Sequence, residues 1–165
     1  MMRVSDVMSR PVVTVSPDTL VKDAAALLAS KDISGVPVVE NGLLVGIFSE
    51  ADVLKSLKTT KKDLRLIFPS VSSLGIAFQE EVTQREIIDA YEEIGNKPVK
   101  DVMSKDVVSV GPDIPLTEAI VKMVQKDINR LPVIDKSNLV GIVSRGDIIR
   151  GLAKEESEKR ASTKA

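Results

Sequence analysis

The sequence predicts a mixed α/β (α+β) fold: two β-α-β-β-α units related by a pseudo-two-fold axis, sheets packed together and helices outside. Two observations predict it. Shifting the chain by 95 residues lays residues 4–57 on residues 99–152 without a gap, and 23 of the 54 positions are identical. Within each copy, short β-branched runs alternate with stretches of helical periodicity. Two copies suit one closed globule, because an open solenoid needs at least three.

In the first copy, Val12-Val13-Thr14-Val15 reads as a short strand that stops at the turn Ser16-Pro17-Asp18. Leu20, Ala24, Leu27 and Leu28 then recur at helical spacing and mark an amphipathic helix. Val36-Pro37-Val38-Val39 is a second strand, with its proline at the start, where a missing ladder N–H is tolerated. Asn41-Gly42 is a tight hairpin turn into a third strand, Leu43 to Phe48. Ser49-Glu50-Ala51-Asp52 opens a second helix carrying Val53, Leu54 and Leu57. The second copy repeats this order from Val107 to Leu152. The chain therefore divides into residues 1–57, a linker 58–98, residues 99–152 and a charged tail, 153–165, expected to fray into disorder. In the linker, Leu64 to Ile76 takes no assignment, whereas Val82, Ile87, Ile88, Tyr91 and Ile94 make a helical stripe that stops at Gly95-Asn96.

Composition removes whole classes of function. With 165 residues the chain buries a core without staples. It has no Cys and no His, so disulfides, thiolate or imidazole metal sites, Cys nucleophiles and Ser-His-Asp triads are excluded. No acid/base pair or nucleophile stands out among what remains; no catalytic residue, resident cofactor or metal is expected, and the chain does not read as an enzyme. A net charge of −1 and 2% aromatics argue against nucleic-acid binding. The longest apolar run, Ala24 to Ala29, is far too short for a membrane span, and the start has no signal-peptide h-region, so the expected place is the cytoplasm.

Ser49-x-x-Asp52 and Ser144-x-x-Asp147 carry the chemistry. Each fits a capping box, the hydroxyl and the carboxylate satisfying helix-start amides reciprocally. The same groups suit a ligand, because a carboxylate accepts from a ribose diol and a hydroxyl with free amides suits phosphate oxygens. Ile33-Ser34-Gly35 and Ile128-Asn129-Arg130 read as loops leading into core strands. The methionines and the Leu/Ala stripes read as core.

The ordered set resembles the CBS domain family, two motifs of which in tandem form a Bateman module. The matching residues are the Asp-Val-Met-Ser openings at 6–9 and 101–104, the Val-Pro-Val and Leu-Pro-Val strand starts, and Gly-Ile-x-Ser-x-x-Asp in both copies. The resemblance implies a sensor of adenosyl ligands: an adenine nucleotide (AMP, ADP or ATP) or an S-adenosyl compound, bound in clefts between the motifs. It implies crossed sites. One joins Ile142, Ser144, Arg145 and Asp147 to Val12, Val13, Ile33, Ser34 and Gly35. The other joins Ile47, Ser49 and Asp52 to Val107, Val108, Ile128, Asn129 and Arg130. It also implies a homodimer through the helices after the Ser-x-x-Asp motifs, on Val53, Leu54, Leu57, Ile148, Ile149 and Leu152, with a contact through the Ile87–Ile94 helix as the alternative, and leaves room for a regulated partner protein. The alternative is an assembly module that dimerises without ligand; a carboxylate-dependent enzyme is the remaining reading.

Overall fold

A computed structural model describes residues 1–59 and 84–163. The unassigned Leu64–Ile76 stretch and Val82 lie outside the described residues. The elements are α1 (Val4–Val7), α2 (Val21–Lys31), β1 (Gly35–Glu40), β2 (Leu43–Ser49), α3 (Glu50–Thr59), α4 (Gln84–Gly95), a 3-10 turn (Val99–Asp101), α5 (Leu116–Lys126), β3 (Arg130–Asp135), β4 (Asn138–Ser144) and α6 (Arg145–Thr163). The strands form two two-stranded sheets, β1 with β2 and β3 with β4.

The first strand expected in each copy is not a strand. Val12–Val15 and Val107–Val110 each contribute one parallel bridge, Val15 to Val38 and Val110 to Val133. Val15 N–H donates to Pro37 O at 3.1 Å and Val110 N–H to Pro132 O at 3.1 Å. Only the last residue of each run reaches the sheet edge, so β-branched composition does not become a ladder.

The remaining elements follow the sequence. Asn41 and Gly42 both take positive φ, 50° and 80°, as the primed hairpin turn requires. Lys136 and Ser137 do the same without a glycine, at 47° and 72°. Helices α2 and α5 end on left-handed aspartates, Asp32 and Asp127, at φ 51° and 49°, a conformation in which a short polar side chain is tolerated.

The chain forms two compact units that are not the sequence copies. One comprises Met1–Thr14, Val39–Val45 and Asp106–Ala165; the other comprises Val15–Val38 and Gly46–Lys105. The opening of the first copy thus belongs with the body of the second, and the opening of the second with the body of the first. In the first unit α1 lies against β4 and α6, Val4 N–H donates to Ile114 O at 3.1 Å, and Ser9 exchanges backbone hydrogen bonds with Ile142 at 2.8 and 3.1 Å. Its core is Val4, Val110, Leu116, Ala119, Met123, Leu131, Val133, Val143 and Ile148. In the second unit Ser104 exchanges hydrogen bonds with Ile47, both at 2.9 Å, and α4 packs on α2 and α3. Val21, Ala24, Leu28, Val36, Val38, Phe48, Ile94 and Val99 are buried there.

The tail corrects an expectation. Helix α6 continues to Thr163 instead of fraying after Leu152. Ion pairs one turn apart, Glu155 with Lys159 at 2.8 Å and Glu156 with Arg160 at 2.7 Å, supply what apolar anchors do not.

Candidate functional site

In each unit a hairpin's last strand feeds a helix whose first turn holds a buried carboxylate: Asp52 is 6% exposed and Asp147 7%. Ser144 is the residue before α6 and Asp147 stands at its third position. Asp147 Oδ2 accepts from Ser144 N–H and Ser144 Oγ, both at 2.8 Å. In return, Asp147 N–H donates to Ser144 Oγ at 3.2 Å, which closes the capping box. The first copy repeats the carboxylate half of it: Asp52 Oδ2 accepts from Ser49 N–H at 2.9 Å and Ser49 Oγ at 3.1 Å.

The other carboxylate oxygen finds partners that the motif did not name. Ser9 Oγ donates to Asp147 Oδ1 at 3.2 Å, and Ser104 Oγ to Asp52 Oδ1 at 3.0 Å. Arg150 also pairs with Asp147 Oδ1. The signal for Ser9 and Ser104 was present, since the repeat superposes them. For Arg150 it was the three-residue spacing from Asp147, which puts both on one helix face.

Contacts within each unit join the wall stretch of a copy to the helix start of the same copy. Arg145 N–H donates to Asn129 O at 3.1 Å, and Arg145 Nε donates to Ile128 O at 3.2 Å. The Arg145 guanidinium also reaches Asp127 at 3.4 Å. Arg130 lies opposite Ser144 in the β3–β4 register. In the other unit, Glu50 N–H donates to Ser34 O at 3.0 Å.

The structure places Val12, Val13, Val107, Val108, Ile128, Asn129, Arg130, Ile142, Ser144, Arg145 and Asp147 in one unit, and Ile33, Ser34, Gly35, Ile47, Ser49 and Asp52 in the other. Ile33, Ile128, Ile47 and Ile142 are half-buried, whereas Ser34 and Asn129 are exposed. Val108 packs on the core of its unit. Val12 lines a cleft of about 380 Å³ with Pro11, Thr14, Val39, Gly42 and Asn138–Val140. That cleft is at the far end of β4 from Ser144, roughly 13–20 Å away at the usual strand rise. Among the described residues, no group of His, Cys, Asp and Glu is placed to hold a metal ion, and no helix is long and apolar enough to cross a membrane.

Comparison with known proteins fits this duplicated geometry. The CBS domain family model matches residues 4–59 and 99–154. An uncharacterized protein of Methanocaldococcus jannaschii is 36% identical over 154 residues, spanning 92% of this chain and 91% of that protein. The solved structure of CBSX2 in complex with AMP superposes with a TM-score of 0.67 at 25% identity, covering 93% of this chain and 98% of that one. The CBS domain pair of protein MJ0100, in complex with 5′-methylthioadenosine and S-adenosyl-L-methionine, gives a TM-score of 0.66 at 25% identity, covering 90% and 98%.

Proposed function

This chain belongs to the CBS domain family, with two tandem motifs, and on that premise we propose that it is a regulatory module that binds adenosyl ligands. One observation carries the reading. Both copies keep a buried carboxylate held by small serine hydroxyls and a backbone N–H, joined at Asp147 by Arg150. Serine hydroxyls rotate at little cost, so ribose hydroxyls are able to replace Ser9 on Asp147 and Ser104 on Asp52 without uncapping the helix. Ser144 and Ser49 then have two roles, capping the helix and facing the ligand. The wall stretches Val12-Val13, Ile33–Gly35, Val107-Val108 and Ile128–Arg130 supply apolar and backbone contacts for the adenine. The bound ligands of CBSX2 and of the MJ0100 pair support the adenosyl class. No catalysis is assigned.

The test is melting temperature with AMP, ADP, ATP, S-adenosylmethionine and methylthioadenosine at millimolar levels. A hundredfold excess over Kd stabilises the fold by about 2.7 kcal/mol, which raises Tm by several degrees in a chain of this size. No shift with any of the five overturns the proposal.

A second reading has its own support. Leu54 on α3 and Ile149 and Leu152 on α6 are 62%, 66% and 44% exposed. Such apolar side chains on the helices after the Ser-x-x-Asp motifs suit a homodimer. Ile148 does not contribute, because it is buried in the core of its unit.

A further inference from the structure

The two carboxylates share their serine donors but stand in different fields of charge. In the first unit, Arg130 lies opposite Ser144 in the strand register. Arg145 follows Ser144 and is tied to Ile128 O and Asp127, and Arg150 pairs with Asp147 itself. With Asp127 and Asp147, these five positions sum to a net charge of +1. The repeat puts Gly35, Glu50, Lys55, Asp32 and Asp52 at the same places in the other unit, where Glu50 N–H bonds Ser34 O. Those five sum to −2. The contrast is sharper than the crossed grouping implies. That grouping gives Arg130 to one end and Arg145 to the other, whereas the strand register sets Arg130 opposite Ser144 and the chain order sets Arg145 next to it.

From this contrast we infer that the two ends sort adenosyl ligands by charge: the Asp147 end takes a phosphate-bearing one and the Asp52 end a sulfonium-bearing one. The inference rests on the adenosyl reading above and adds the ligand class to each end. A phosphate monoester carries about −1.5 to −2 at neutral pH and is matched by guanidinium groups. An S-adenosyl sulfonium carries a fixed positive charge, which Glu50 and Asp52 attract and three arginines repel. Glu50, Arg145 and Arg150 are exposed, so solvent and salt screen them, and a single charge reversal is expected to change affinity about tenfold.

Isothermal titration with AMP and, separately, S-adenosylmethionine tests the assignment. In the unaltered protein each ligand binds one end more tightly. Asp147→Asn removes the tight AMP event and leaves S-adenosylmethionine, and Asp52→Asn does the reverse. Arg145→Glu weakens AMP at least tenfold, and Glu50→Arg weakens S-adenosylmethionine by as much. These two reversals are at exposed positions, so they test the sorting even if an Asp→Asn variant does not fold. Both ligands binding the same end, or charge reversals that move neither affinity beyond twofold, overturn the sorting while leaving the adenosyl reading in place. If neither ligand binds the unaltered protein, the sorting falls; the adenosyl reading falls with it only if ADP, ATP and methylthioadenosine fail to bind as well.

Discussion

Ser9 Oγ donates to Asp147 Oδ1 at 3.2 Å across 138 residues of sequence. Ser104 and Asp52 repeat the relationship at 3.0 Å across 52. Each unit therefore takes one donor for its buried carboxylate from the opening segment of the opposite copy. Removing that donor leaves a buried charge short of one partner, which costs more than the net worth of an ordinary hydrogen bond. Ser104→Ala and Ser9→Ala are each expected to destabilise by about 1–2 kcal/mol in urea melts, since bonds to charged groups are the stronger ones. At Asp147 the Arg150 pair remains, so Ser9→Ala is expected to be the milder of the two. The reverse order would mean that Arg150 does not compensate.

The strand glycines are a second check. A Cβ on Gly141 would meet Met8 Sδ at 2.5 Å, and one on Gly46 would meet Met103 Sδ at 2.5 Å and Ser104 O at 3.0 Å. Met8 is a flexible side chain that is able to give way, whereas Ser104 O is backbone held by Ile47 N–H at 2.9 Å. Gly46→Ala is expected to cost about 1–3 kcal/mol, in the usual range for overpacking, and Gly141→Ala less. Equal costs measured by chemical denaturation would contradict this difference in compliance.

Phe48 and Leu131 are fully buried in different units. Phe48→Ala is expected to cost about 3–5 kcal/mol and Leu131→Ala about 2–5. A loss under 1 kcal/mol at either position, read from Tm and the urea midpoint, would show that the residue does not carry its core.

Exposed Leu54, Ile149 and Leu152 lead to a fourth expectation. Light scattering at micromolar concentration should give twice the chain mass, and Leu54→Glu with Ile149→Glu should halve it without lowering helicity. A monomeric mass for the unaltered chain refutes the dimer.

The α6 extension responds to pH and salt. The Glu155 side chain accepts a hydrogen bond from Lys159, and with its charge holds the lysine above the ordinary value of 10.5. A raised lysine pKa makes its contribution fully present below the unfolded value, and the contribution is lost as pH rises through the folded value. Circular dichroism is expected to show helix loss above about pH 10.5 and in high salt. The change should be absent when the chain is cut after Leu152. An unchanged signal would show that the ion pairs are not what extends the helix.

Much of the candidate site was legible in the sequence because its spacing is local. A serine three residues before an aspartate at a helix start fixes the capping geometry whatever surrounds it. The hairpins were legible for the same reason: Asn41-Gly42 sets its own turn. Val12–Val15 misled because β-branched composition reports a fit to pleated surface, not the presence of a neighbouring strand to pair with. Ser9, Ser104 and Arg150 were visible as repeated or well-spaced residues, but nothing local says that a hydroxyl 138 residues away reaches a given carboxylate.

The sequence by itself determined the duplication, the hairpin turns, the capped helix starts and the exclusion of thiol and imidazole chemistry, because these depend on residue identity and short spacing. Only the tertiary structure decided which opening completes which unit, which distant hydroxyl reaches which carboxylate, and how much of each aspartate is buried. Those follow from long-range packing. Val4 and Val99 enter cores built from distant segments, and the apolar area they bury sets where Ser9 and Ser104 end up.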